Sequence, residues 1–70
     1  MIWLFERNGR HAQLQLLYVA PDRYELHFID GDGIELVEHF TNVPDAGARQ
    51  RELQKNLMEQ GWSQDGEWKF

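Results

Sequence analysis

The sequence predicts an α+β domain, a four-stranded antiparallel meander (ββββ) followed by one C-terminal α-helix packed on one sheet face. Three observations carry this. Residues 2–40 contain four alternating apolar runs separated at Asn8-Gly9, at Pro21-Asp22-Arg23 and at Asp30-Gly31-Asp32-Gly33. Asn-Gly between two such runs signals a hairpin, because a type I′ turn needs positive φ at both central residues. After Phe40 the alternation stops, and a helical spacing takes over that ends at Gly61.

The first strand spans Ile2 to Arg7 and the second Ala12 to Val19. A two-residue loop sets Phe5 opposite Ala12 and Trp3 opposite Leu14, and directly opposed residues share a face. The third strand, Tyr24 to Ile29, joins that face only if an odd number of residues intervenes, since a slip of one turns every side chain over. A three-residue loop with Pro21 leading is the expected solution. For the fourth strand, Ile34 to Phe40, Gly31-Asp32-Gly33 fits a three-residue loop ending in a left-handed glycine. The aromatic face then holds Trp3, Phe5, Leu14, Leu16, Tyr18, Tyr24, Leu26, Phe28, Ile34, Leu36 and Phe40. Glu38 is the discordant residue on it, and an open edge is its expected place.

The helix is expected from Val43 to Gln60. Asn42 caps it, Pro44 is tolerated in its first turn, and Asp45 places a carboxylate near the N-terminus. Gly61 suits the left-handed position after the helix, with Trp62 returning onto Leu57. Ala46, Leu53 and Leu57 form a narrow apolar stripe with Gln50 and Gln60 at its borders. The most buried residues should be Trp3, Leu16, Leu26, Phe28, Leu36 and Leu53. Asp65-Gly66 is a turn signal, and Ser63 to Phe70 either adds a short C-terminal strand or tucks Trp68 and Phe70 under the helix.

Seventy residues make a single domain, residues 1–70, with a small core. The chain has no cysteine, which excludes disulfides and thiolate sites. Met1 to Arg7 reads as a strand rather than a signal peptide, and no run matches a membrane span, so a cytoplasmic domain with no membrane association is expected. The formal net charge of −5 opposes nucleic-acid backbones, which makes nucleic acid an unfavoured partner.

The second sheet face carries Leu4, Leu17, Val19, His27, Ile29, Val37 and His39 among Gln13, Gln15, Glu25 and Glu35. One helix cannot cover both faces, and aliphatics grouped on a flat sheet form a candidate association surface. Leu17, His27 and Val37 are expected as cross-strand neighbours. A wet sheet face rich in β-branched residues is the plainer reading. The sharper one is packing against a second copy, a homodimer that enlarges a small core, or against another protein.

Chemistry is sparse. His27 and His39 with Glu25 form two imidazoles and a carboxylate, a donor set that suits zinc or iron. Histidines exposed on strands explain them as well, and no metal or other cofactor is assigned. Asp30-Gly31-Asp32-Gly33 lacks the spacing and flanking helices of an EF-hand and reads as a turn. There is no phosphate loop, nucleophile elbow or carboxylate dyad, so the expectation is a protein that is not an enzyme.

Trp3, Phe5, Tyr18, Tyr24 and Phe28 are a second candidate surface, a stacking platform for bases. The order of meander then helix resembles the Whirly-like single-stranded DNA-binding folds in layout, without their basic residues. The Gly61-Trp62 helix exit also resembles a WGR domain, although Asn8-Gly9-Arg10 lacks that motif's tryptophan. Neither likeness carries over a functional residue. The reading reached from sequence is a non-catalytic protein-interaction or self-associating module that uses its open sheet face. A single-stranded nucleic-acid binder is the alternative.

Overall fold

The computed structural model describes residues 1–68, with Ile34, Glu35 and Trp68 described through their backbones alone. Strands β1 (Ile2–Arg7), β2 (Arg10–Ala20), β3 (Arg23–Asp30) and β4 (Gly33–Phe40) precede helix α1 (Val43–Glu59) and strand β5 (Ser63–Trp68). All five strands form one antiparallel sheet in the order β4-β3-β2-β1-β5. The fold is therefore α+β with a short C-terminal strand. The part of the expected strand formed by Lys69 and Phe70 lies outside the described residues.

The first hairpin matches its sequence signal. Asn8 and Gly9 have φ of +52° and +79°, and Arg7 faces Arg10. The next two hairpins differ from expectation in detail. The β2–β3 connection has two central residues, Pro21 and Asp22, with Asp22 at φ +57°, the sign a type II turn requires there. Parity is restored because Val19 bulges out of β2 between the pairs Tyr18–Tyr24 and Ala20–Arg23. The β3–β4 connection is also short, and the register shifts between the pairs Phe28–Leu36 and Ile29–Ile34. Ile34 thus lies opposite Ile29 rather than opposite Asp30. In both hairpins a two-residue turn plus one bulged residue supplies the odd count that the alternation demands. The β2 bulge also slides β2 along β3 by two residues from the expected register.

α1 is capped as its sequence predicts. Asn42 is extended, and its side-chain oxygen accepts from the Asp45 amide at 2.8 Å. At the other end the Trp62 amide donates to the Leu57 carbonyl and the Gly61 amide to the Met58 carbonyl, with Gly61 at φ +95°. That pair of bonds is the Schellman closure. Arg7 reinforces it from β1, donating to the Gln60 carbonyl at 2.8 Å while its guanidinium lies 4.8 Å from the Trp62 ring centroid.

The core lies between α1 and the sheet, at Trp3, Phe5, Ala12, Leu14, Leu26, Ala46 and Leu57. Trp3 and Leu26 are buried as expected, but Leu16, Phe28, Leu36 and Leu53 are only half-buried. The cause is the path of the helix. It leaves β4 at one edge and must deliver β5 to the other edge beside β1, so it crosses the sheet instead of centring on β3 and β4. Tyr18, expected in the core, is 65% exposed for the same reason.

Two polar features accompany this core. Gln50, expected at the stripe's border, is buried, and its amide donates to Gln54, which in turn donates to Gln64 of β5, both at 2.7 Å. Glu38 faces the helix from edge strand β4, and Arg49 grips both its oxygens at 2.9–3.2 Å.

Candidate functional site

The sheet face opposite α1 is the candidate surface, and the strand register arranges it in rows. One row runs Ile2, Gln15, His27, Val37. The next runs Leu4, Gln13, Ile29, and a third places Leu17, Glu25 and His39 side by side. His27 and Val37 are neighbours as expected. Leu17 is not beside His27: the slide of β2 along β3 sets it opposite Glu25.

This register interrupts the aliphatic group. Gln13 separates Leu4 from Ile29, and Gln15 separates Ile2 from His27. Leu4, Leu17, His27 and Ile29 are half-buried, Val37 is 40% exposed and His39 is exposed. Val19 is the extra residue of the β2 bulge and is 47% exposed. Leu4 leans over β5, where a Cβ built on Gly66 would lie 3.4 Å from its Cδ1.

Polar groups among these aliphatics pair with one another. Gln15 donates its side-chain amide to Gln13 at 2.9 Å. The His27 ring nitrogen lies 2.9 Å from Glu25 Oε1, and His39 Nδ1 lies 3.6 Å from Glu25 Oε2. The hydrogen bond from His27 is the main cause that holds the Glu25 carboxyl below its ordinary range. Glu25 is thus an anion set between two imidazoles.

The structure brings together all three residues of the zinc-or-iron donor set considered from sequence. One nitrogen of each ring is turned to the carboxylate, and among the described residues no group of three such side chains is placed to share a metal ion. Glu25 and His39 also line a shallow cavity with Arg23, Tyr24, Phe40 and Thr41, and the trio offers it hydrogen-bonding groups. The acidic β3–β4 turn uses its own carboxylate: Asp30 Oδ1 accepts from the Asp32 amide at 2.7 Å.

The stacking platform is reduced in extent. Trp3 and Phe5 are enclosed, whereas Tyr18 and Tyr24 meet edge-on at the β2–β3 tip, with centroids 5.7 Å apart. Two features were missed in the sequence: the Arg7–Trp62–Gln60 clasp and the Gln50–Gln54–Gln64 chain. The i, i+4 spacing of Gln50 and Gln54 was a visible signal for the second. The clasp joins residues more than fifty positions apart and had no local signature.

No helix among the described residues is long and apolar enough to cross a membrane. Comparison of the chain with protein-family models, with curated proteins and with solved structures finds no match.

Proposed function

We propose that this domain is a non-catalytic interaction module whose uncovered sheet face packs against a second copy of the chain. The observation that carries the reading is the combination of accessible aliphatics with polar neighbours that already have partners. Burying an unpaired polar group costs free energy, and Gln13–Gln15 and Glu25–His27 would enter a contact already hydrogen-bonded to each other. The face also sets a carboxylate acceptor, Glu25, beside an imidazole, His39, so it offers complementary hydrogen-bonding groups to itself under a twofold axis.

The accessible surface of 4650 Å² matches the roughly 4600 Å² typical of an 8.3 kDa monomer, so compactness alone does not call for a partner. The argument rests on the content of the face. A standard interface of about 800 Å² per partner would take about a sixth of that surface.

Sedimentation of the wild type and of Leu17→Lys at neutral pH tests this. The expected result is a concentration-dependent dimer for the wild type and a monomer for the variant, because an ammonium would enter the contact in place of an aliphatic side chain. A wild type that stays monomeric at high concentration rejects the reading.

A further inference from the structure

The helix crosses the sheet and leaves one corner open. There a cavity of about 400 Å³ lies between the last turns of α1 and the turn-bearing ends of the strands. That volume falls within the roughly 300–1,000 Å³ of small-ligand sites. Phe28, Leu36, Leu53 and Leu57 line it as apolar groups, together with Trp62. These include the residues whose pattern belongs to a closed core but which the structure leaves half-buried. The cavity is on the helix side of the sheet, away from the face assigned to self-association.

Its polar lining brings two arginines, Arg7 and Arg10, beside the carboxylate of Asp30, with Asp32 set against Arg10 from the adjoining turn. Arg7 is already committed to Gln60 and Trp62, where it also offsets the negative end of the helix dipole. Arg10 is differently placed. Its ion pair with Asp32 is 3.7 Å long, with side chains 68% and 79% exposed, and such pairs contribute little in water. An incoming carboxylate therefore replaces Asp32 on Arg10 at small cost, and it makes a charge-assisted contact beside an apolar wall.

We propose that this cavity binds a small organic anion with an apolar body, an aryl or short-chain alkyl carboxylate. Its body would lie on Phe28, Leu53 and Trp62, and its carboxylate would meet Arg10.

Titrating the isotopically labelled full chain with phenylacetate, followed by nuclear magnetic resonance, tests the proposal, with 2-phenylethanol as the uncharged match. The expected result is a saturable shift of the Trp62 indole N–H and of the Arg10, His11 and Leu57 amides. The alcohol should bind about tenfold more weakly, the scale of one charge-assisted hydrogen bond. Arg10→Gln, a change at an exposed hairpin position, should show a similar loss for phenylacetate and none for the alcohol. Absence of saturable shifts, or shifts confined to the opposite sheet face, overturns the site. Equal affinity for acid and alcohol, or an unchanged affinity in Arg10→Gln, overturns the assignment of an anion.

Discussion

Leu26 lies between Leu16 and Glu38 across the sheet, and its side chain is wholly enclosed. Leu26→Ala should cost about 2–5 kcal/mol, a cavity term added to lost transfer energy. Folded domains hold roughly 0.05–0.15 kcal/mol per residue, so this loss consumes much of the stability of so short a chain. Urea denaturation checks it, and an unchanged midpoint would show that the register is wrong. Its neighbour Glu38 points a charge inward from an edge strand, a device that discourages edge-to-edge pairing. Hydrogen bonds from Arg49 are the main cause that holds its carboxyl below the ordinary value. A depressed folded-state value stabilises the fold above the ordinary carboxylate pKa, and this contribution is lost as pH falls through the depressed one. Glu38→Gln should thus lower the urea midpoint at pH 7 and flatten its decline into acid. An equally steep decline in the variant would place the acid sensitivity elsewhere. Glu38 was legible as discordant and edge-bound, but its partner sits eleven residues away across a helix turn and was not.

At the scale of elements, α1 is the part whose limits were plainest in the sequence. Asn42 and Gly61 act through backbone groups within a few residues of themselves, which is why their roles needed no tertiary knowledge. Asn42→Ala should cost about 1 kcal/mol through the lost cap. Gly61→Ala should cost at least about 1 kcal/mol, because alanine resists φ of +95°. Thermal melts of the two variants check both numbers. The hairpins show the opposite limit. Odd spacing was required by the alternation of side chains, but whether a loop residue or a bulge met it was decided by backbone geometry around Val19 and at the β4 start.

For the whole molecule, the crossing helix divides the sheet into a closed centre and two open corners, one at Tyr18 and Tyr24 and one at the Arg10 cavity. Native-state hydrogen exchange should be slowest at the Leu14 and Leu26 amides, where the side chains are fully enclosed. It should be fastest at the β2–β3 tip. Equal protection across the five strands would indicate that the corners are covered. Tyr18→Ala should cost about 0.5–1.5 kcal/mol, the scale of its edge contact with Tyr24, and less than Leu26→Ala.

The sequence by itself determined the four strands of the meander, the helix and its caps, and the face of residues such as Trp3, Phe5, Leu14 and Leu26, because each depends on neighbours a few positions apart or on parity alone. Leu4, Ile29, Val37, His27 and His39 were placed on the uncovered face by that parity. Only the tertiary structure decided the slide that parts Leu17 from His27, the diagonal path that buries Phe5, Ala12 and Leu14 ahead of Leu36 and Leu53, and the cavity left beneath the last turns of α1. These depend on where β5 docks. A strand that pairs beside β1 pulls the helix across the sheet, and that choice is an energy of packing summed over the whole chain rather than a property of any local run.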